Sequence, residues 1–366
     1  MGKMVRLVRR HLGRVKLEDV ARAAKVSTAT VSRVLNAPEV VAEPTRSKVK
    51  AVVERLGYIP DLAAGNLASD RSGQIAVIVP SFGSPAFVRM IHGVSDHLSS
   101  QGLQLVLGDT SLSGDNEARL LASLLGRRVD GIILTDIAQS AASRSLLSNA
   151  GIPVVETWTL AAKPFDMNVG FDNRAAARDA TRHLIETGRR SIGMICGPLQ
   201  MNQRGRDRRR GFLDAVRKAG LREAGFVELK SAVRWNDVAL ALEYLVENAP
   251  SLDGVFCSGD TFAASALFAA QRRGWSVPDR IAIIGLGDLD LTRQVVPSLS
   301  TAQVPSYHMG KVAAEMIARR LASEHVEPAI VDVGYEVVVR ESTAPARAAP
   351  AHQRKKRALA TPLSAR

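Results

Sequence analysis

From Gln74 onward the sequence alternates between short apolar runs and amphipathic helical stretches, and this rhythm constrains the fold more than any other feature. Seven runs read as strands: IAVIVP (75–80), LQLVLGD (103–109), DGIILTD (130–136), IPVVETW (152–158), SIGMICG (191–197), DGVFCSGD (253–260) and RIAIIGLGD (280–288). Apolar strands that cross to helices are typical of parallel sheets covered on both faces. Seven strands are more than we expect in a single compact lobe. The sequence therefore predicts an α/β core of two doubly wound parallel-sheet lobes, with ligands bound in a cleft beyond the carboxyl ends of the strands.

The first 60 residues follow a different, wholly helical pattern. Apolar residues share one face of LEDVARAA (17–24), and Ser27 stands where the N-cap of a second helix belongs. A third helix, PTRSKVKAVVERL (44–56), ends at Gly57, which suits the residue after a helix. Two helices joined by a tight turn, with a third packed across them, form a helix-turn-helix. The sequence thus predicts an all-α helix-turn-helix head.

The net charge of +13 lies at the two ends of the chain. Residues 1–62 hold 13 Lys/Arg against 6 Asp/Glu, and residues 345–366 hold six basic residues and no acidic one, so the body between them is neutral. A basic head favours a nucleic-acid partner. The tail is rich in Ala and Pro, which predicts disorder; solubility is its favoured role, and non-specific attraction to DNA is the alternative.

The stretch VSTATVSRVLN (26–36) carries five short hydroxyl and amide side chains on one short helix. Pointing outward, Thr28, Ala29 and Arg33 can read base edges in a major groove, because Arg pairs with guanine and small methyl groups pack on thymine. The flanking short polar side chains let phosphates approach: Ser27, Thr30, Ser32 and Asn36. A solvated amphipathic helix explains the same composition, so the residues alone leave both interpretations open.

A short segment, LAAGNL (62–67), can form little more than one helical turn, which is not stable alone in water. If it folds against DNA, Leu67 can wedge into a minor-groove step. An ordinary linker with a buried leucine is the alternative.

Other features narrow the functional class. No run approaches the ~20 apolar residues of a membrane span, and the basic N-terminus lacks an apolar signal region, so we expect a cytoplasmic, nucleoid-associated protein. Cys196 and Cys257 lie in apolar strands and are expected to be buried free thiols. No complete phosphate-binding loop or nucleophile elbow follows a strand, and the histidines are scattered. The sequence predicts no enzyme activity, catalytic site, metal or cofactor; a periplasmic-type binding module remains an alternative that the basic head disfavours.

Ordered motifs along the chain carry a resemblance to a known family. VSTATVSRVLN, TRSKVKAVVERLGYIP, RRVDGIILTD, VGFDNRAAARDATRHLIETGRRSIGMICG and PSLSTAQVPSYHMGKVAAEMI make residues 15–344 closely similar to the LacI/GalR family of bacterial transcriptional regulators. The resemblance implies a homodimeric repressor that binds double-stranded operator DNA and is controlled by a small effector, a sugar or sugar acid. It assigns base reading to Thr28, Ala29 and Arg33, and the hinge-helix wedge to Leu67.

The resemblance extends to one branch and to the domain plan. VVETWTL, VGFDN and FCSGD look like the gluconate-operon repressors, which implies gluconate, a related sugar acid or its phosphate as effector. The expected organisation is a basic extension (1–14), a helix-turn-helix domain (15–60), a hinge helix and linker (61–73), a two-lobed effector-binding and dimerisation core (74–344), and a basic tail (345–366).

Eight residues are candidates for the effector cleft. Phe87 and Trp235 match aromatic cleft positions of the family, and Arg204 and Arg208 match an effector-contacting loop, with arginine well suited to a carboxylate. Four acids stand at or near predicted strand ends: Asp136, Glu156, Asp260 and Asp288. For each acid, a helix cap or a loop salt bridge is the alternative, and for the arginines a solvated basic turn.

Three departures from the family fall at important places. Lys25 stands where the family usually has Gly between the first two helices, so we expect a changed turn. Gly259-Asp260 replaces a common Asn-Asp, and Gly287 occupies a common Asp position with Asp288 one residue later. The last two changes put effector contacts carried over from the family in question.

Overall fold

The computed structural model describes residues 15–59, 71–136, 140–200, 202–230 and 235–344. By its contacts the chain divides into two compact units, with the boundary between Ser72 and Gly73. The expected N-terminal extension, the basic tail, and most of the expected hinge with Leu67 lie outside the described residues.

The head unit is a three-helix structure, as the apolar spacing predicts. Its helices are α1 (Leu17–Ala24), α2 (Thr28–Asn36) and α3 (Glu43–Leu56). Val20, Val31 and Val49 are fully buried in a small core that all three helices share. Because the valines of α2 face this core, its hydroxyl-bearing residues are turned to the surface.

The turn between α1 and α2 keeps a left-handed residue, so the expected change of geometry is wrong. Lys25 has φ 51° and ψ 48°. Its N–H donates to the carbonyl of Arg22, and the N–H of Val26 donates to the carbonyl of Ala21. Gly57 closes α3 with the same pair of bonds and φ 60°. Lysine therefore bears a backbone conformation that glycine adopts more easily.

The core unit consists of two lobes, each built on a six-stranded sheet. The first sheet contains β1 (Gln74–Val79), β2 (Gln104–Asp109), β3 (Gly131–Thr135), β4 (Val154–Thr159), β5 (Met167–Phe171) and β11 (Ile330–Asp332). The second contains β6 (Ile192–Cys196), β7 (Gly225–Glu228), β8 (Gly254–Cys257), β9 (Ala282–Gly287), β10 (Ser300–Gln303) and β12 (Glu336–Val338). The helices are α4 (Val88–Ser100), α5 (Gly114–Gly126), α6 (Ala141–Ala150), α7 (Asn173–Glu186), α8 (Gln203–Lys218), α9 (Trp235–Asn248), α10 (Asp260–Arg272), α11 (Asp290–Gln294) and α12 (Ser306–Leu321).

The two sheets repeat one topology. The strand order is β2-β1-β3-β4-β5-β11 in the first and β7-β6-β8-β9-β10-β12 in the second. All pairs are parallel except β10 with β12. In each sheet the order reverses beside its first strand, and ligands of such folds bind outside the carboxyl ends of the strands at that point.

The chain passes between the lobes three times. It leaves the first sheet after β5, returns through α12 after β10, and then gives β11 to one sheet and β12 to the other. Gly93 of α4 and Gly310 of α12 let these helices touch, since a Cβ at either position would fall about 2 Å from a carbonyl oxygen of the other helix. Gly211 makes the same approach between α8 and α7, against the Arg174 carbonyl.

The seven predicted strands are all present, and five further strands complete the sheets. The additional strands are short or polar: MNVGF, GFVE, STAQ, IVD and EVV. Their pairing is decided by neighbouring strands rather than by an apolar run of their own. Cys196 and Cys257 are buried and free, as expected. Within the described residues, no helix is both long and apolar enough to cross a membrane.

Candidate functional sites

One surface of α2 carries the residues predicted to face DNA. Thr28, Ala29 and Arg33 are exposed, while Val31 and Val34 on the opposite side are buried. This places the predicted base-reading side chains on one solvent-facing surface of the helix.

The short polar residues at α2 stabilise the helix and also line its outer surface. The Ser27 hydroxyl accepts the Thr30 N–H at 3.1 Å and so caps the helix. Its Oγ lies 2.9 Å from the Thr30 hydroxyl, and the Asn36 amide donates to the Ser32 hydroxyl at 3.3 Å. These four groups are exposed or half-buried. The helix is therefore both capped and polar on its outer face.

A cavity that opens to solvent lies between the two lobes of the core, and its volume is about 820 Å³ with the open solvent at its mouth included. Pro80 and Ser81 follow β1, Gly197 and Pro198 follow β6, and Ser258 follows β8. The cavity thus lies at the carboxyl ends of the strands where both sheets reverse their order. This position is usual for small-molecule sites.

Arg204 reaches into the cavity from the first turn of α8. Its side chain is 8% exposed and lies over the rings of Phe87 at 5.1 Å and Trp158 at 5.9 Å. Its Nε lies 3.3 Å from the Asp136 carboxylate, which belongs to the first lobe. Phe87 and Trp158 pack edge to face, with centroids 5.4 Å apart. An aromatic wall and a buried cation thus share one end of the cavity.

Arg208 lies one turn further along α8 and also lines the cavity. Its Nε donates to the Asn173 side-chain oxygen at 2.8 Å, and its Nη1 donates to the Ser258 carbonyl at 2.6 Å. Its Nη2 is buried and has no hydrogen-bond partner among the residues that the structure describes. Burial, with a further contribution from the charge of Arg204, lowers the pKa of Arg208 to about 9, so the guanidinium is charged at neutral pH. A buried cation with a free donor is suited to an anion.

Asp260 forms the opposite part of the cavity wall at the start of α10. One carboxylate oxygen accepts the Thr301 hydroxyl at 2.7 Å and the other accepts the Leu289 N–H at 2.9 Å. Gly285 makes room for it, because a Cβ there would lie 2.2 Å from Oδ1. Burial raises the pKa of Asp260 to about 6, against the opposing effect of these two hydrogen bonds.

Four predicted cleft residues do not line the cavity. The first is Asp136, whose carboxylate lies against Arg204 behind the cavity wall and takes the salt-bridge alternative. Glu156 does not end a strand, since β4 continues to Thr159, and its carboxylate accepts the Phe165 N–H at 3.0 Å. Trp235 is 43% exposed and stacks on Phe268 instead. Those two expectations are wrong as to position because strand length and helix orientation differ from what the motifs suggested.

Asp288 is the fourth predicted residue outside the cavity lining, and it also takes the salt-bridge alternative. Arg293 and Arg340 bind its two carboxylate oxygens, Arg340 at 2.5 Å. Burial opposes ionisation, but the hydrogen bonds from these arginines outweigh it and lower the pKa of Asp288. The acid therefore holds the second lobe together rather than facing the cavity.

The structure adds residues that sequence reasoning missed. Trp158 lines the cavity and has φ 72°. Its motif, VVETWTL, indicated only the resemblance to the gluconate-operon repressors and did not mark Trp158 as a cleft residue. Asn173 is 3% exposed and joins Arg208 to the Trp158 carbonyl, to which it donates at 2.7 Å. Asn202 lines the cavity and caps α8 by accepting the Gly205 N–H. A polar residue just before or at the start of a helix was the available signal for both asparagines.

Comparison with known proteins bears on both sites. Residues 16–61 match the family model described as bacterial regulatory proteins, lacI family, and residues 181–343 match that of the periplasmic binding protein-like domain. The HTH-type transcriptional regulator GntR of Pseudomonas aeruginosa is 35% identical over 91% of this chain and 97% of its own length. The chain belongs to the LacI family. The HTH-type transcriptional regulator IdnR of Escherichia coli is 31% identical to this LacI-family chain over 88% of the chain and 97% of the relative.

Solved structures agree with this assignment. A LacI-family regulator from Silicibacter pomeroyi is 31% identical and has a TM-score of 0.85 over 90% of this chain and 99% of the other. A CelR–cellobiose complex is 30% identical with a TM-score of 0.66, over 90% of this chain and all of the other. The protein is a DNA-binding transcriptional regulator, and its relatives are regulators rather than enzymes.

Proposed function

We propose that this regulator is a repressor whose operator affinity is controlled by an anionic sugar, with gluconate as the first candidate. The observation that supports an anion is the buried Nη2 of Arg208, a cavity-lining cation. Within the described part of the chain this nitrogen has no hydrogen-bond partner. The motifs shared with gluconate-operon repressors, and the relatives named GntR, favour a sugar acid.

The chemistry of the cavity supports a polyhydroxy acid over an apolar ligand. A carboxylate would supply the acceptor that Arg208 lacks, and Arg204 lies on the same face of α8. Asp260 offers carboxylate oxygens to ligand hydroxyls, and the rings of Phe87 and Trp158 provide an apolar wall. We therefore assign effector binding to Phe87, Trp158, Arg204, Arg208 and Asp260. Asp136, Glu156, Trp235 and Asp288 are left out of the site.

A neutral sugar is the second candidate, because a CelR structure holds cellobiose. Titration calorimetry with gluconate and with glucitol separates the two, since these ligands share hydroxyls and differ in the carboxylate. Gluconate should bind at least tenfold more tightly than glucitol, and equal affinities would refute the anion requirement.

A matched pair of variants tests the role of Arg208 directly. Arg208→Lys keeps the charge but loses the planar fork, so it should weaken gluconate binding about tenfold or more. Arg210→Lys is the control, because Arg210 is exposed on the same helix and pairs with Asp207. An equal loss of gluconate affinity in both variants, or no loss in either, would show that Arg208 does not bind the effector.

We assign operator recognition to the exposed surface of α2. Thr28, Ala29 and Arg33 read base edges; Ser27, Thr30, Ser32 and Asn36 approach phosphates; and Leu67, from the hinge segment, wedges between bases. Arg33→Ala should relax base preference at one operator position, measured by selection from a randomised operator library. Ser32→Ala should weaken binding to all operator sequences equally, because a phosphate contact carries no sequence information.

The proposed mechanism couples the two units through the hinge. A homodimer places two heads on a pseudo-palindromic operator, and effector binding changes the orientation of the two core lobes. Because the hinge segment is too short to be a stable helix alone, its folding depends on DNA and on that orientation. Operator affinity should also fall steeply with salt, which retardation at several salt concentrations measures.

A further inference from the structure

Asp136 is held rigidly by the first lobe at the end of β3. It is 4% exposed and has a left-handed backbone, with φ 74°. Its N–H donates to the Thr157 carbonyl at 2.9 Å, and its Oδ1 accepts the Thr159 hydroxyl at 2.9 Å. One carboxylate oxygen is therefore fixed within the first lobe, which fixes the direction of the other.

The second oxygen crosses to the second lobe. Oδ2 accepts the backbone N–H of Gln203, the first residue of α8, at 3.1 Å, and lies 3.3 Å from the Nε of Arg204. A carboxylate at a helix N-terminus beside a guanidinium is favoured twice, by the helix dipole and by the ion pair. The side chains of Asp136 and Arg204 are 6% and 9% exposed, so solvent screens the pair little.

Other contacts between the lobes at the cleft are weaker or involve the same arginines. Arg89 and Asp290 approach to 3.4 Å at 47% and 85% side-chain exposure, a pair expected to contribute almost nothing. Asn173 joins Arg208 to the Trp158 carbonyl of the first lobe. Among the described residues, the buried ion pair across the cleft is thus made by a carboxylate on one of the two arginines assigned to the effector.

We propose that Asp136 is an internal anion that latches the two lobes by occupying Arg204 and the first turn of α8, and that an effector anion competes with it for Arg204. Asp136 is then a residue that sets effector affinity without being an effector ligand. Displacing it frees α8 from the first lobe, which gives the effector a direct means of altering lobe orientation. The latch itself stands on the contacts above; its competition with a sugar acid rests on the proposed function.

Two variants separate charge from geometry. Asp136→Asn keeps the shape and tolerates φ 74°, but removes the charge; Asp136→Gly removes the side chain and also tolerates that φ. Asp207→Asn is the control, because Asp207 lies in the first turns of α8 and accepts hydrogen bonds from Gln203 and Arg210 within the second lobe. Circular dichroism confirms that each full-length variant is folded.

Hydrogen exchange at the Gln203 amide is the ligand-independent readout. Asp136→Gly should speed exchange about tenfold, Asp136→Asn less, and Asp207→Asn not at all. An unchanged Gln203 rate in Asp136→Gly would overturn the latch.

Anion binding tests the competition. Calorimetry with inorganic phosphate should show about tenfold tighter binding to Asp136→Asn than to the unaltered protein. Weaker or absent phosphate binding by Asp136→Asn would overturn the competition and make Asp136 part of the binding site. Gluconate is titrated in parallel. If gluconate fails to bind the unaltered protein, its role as the effector is refuted. Hydrogen exchange at the Gln203 amide and phosphate calorimetry then still test the latch, because neither measurement uses gluconate.

Discussion

Replacing Asp260 with Asn should change how the stability of the core depends on pH. The folded-state pKa of about 6 lies above the ordinary value of 3.8, because the carboxyl is buried. The folded chain therefore holds a proton that the unfolded chain has released between these values. Stability from this group is fully present below pH 3.8 and is lost as the pH rises through 6.

The magnitude follows from the same two values. A shift of roughly two pKa units corresponds to about 3 kcal/mol in total, of which about 2 kcal/mol is lost between pH 4.5 and 7.5. Asn is nearly isosteric, so it fits beside Gly285 and can still accept the Leu289 N–H. The free energy of unfolding of Asp260→Asn, relative to the unaltered protein, should rise by about 2 kcal/mol from pH 4.5 to 7.5.

Urea unfolding followed by tryptophan fluorescence measures this difference. All three tryptophans, Trp158, Trp235 and Trp275, belong to the core unit, so the signal excludes the head. Taking the difference between the two proteins cancels every other titrating group. A stability difference that stays constant across this pH range, or falls with rising pH, would refute the argument that burial controls this carboxyl.

Four further substitutions test the backbone arguments. Ser27→Ala should destabilise the head by about 1 kcal/mol, because the Thr30 N–H loses its cap, and head amide exchange in full-length protein should accelerate accordingly. Lys25→Gly should stabilise the head by about 1 kcal/mol by the same measurement, whereas Gly57→Ala should destabilise it similarly; opposite signs for the pair would contradict the left-handed assignment. Gly211→Ala should destabilise the core by more than about 2 kcal/mol in urea unfolding, because its Cβ meets a backbone carbonyl on α7, and a loss below about 0.5 kcal/mol would mean that the helices separate freely.

Charged cleft residues show where sequence reasoning fails. Asp136, Asp260 and Asp288 all follow apolar strands, and the sequence treats them alike. In the structure Asp136 binds Arg204 of the other lobe, and Asp260 is buried against a hydroxyl and a backbone N–H. Asp288 is bound by two arginines. Each acid has at least one partner far away along the chain: Leu289 lies 29 residues from Asp260, Arg340 lies 52 from Asp288, and Arg204 lies 68 from Asp136. No local pattern can therefore distinguish the three acids.

Local signals in the chain predict the helices of the head and seven of the strands. Apolar period and capping residues act within a few residues, and Ser27 and Gly57 stand at the helix ends that they predict. Contacts between distant segments set the remaining features. Five short strands form only by pairing with neighbours already in place, and the cavity forms only where two sheets from distant segments bring Phe87, Arg208 and Asp260 together. Both lobes together bury Arg208, one of whose nitrogens has no partner in the described ranges, and that property suits the cleft to an anion.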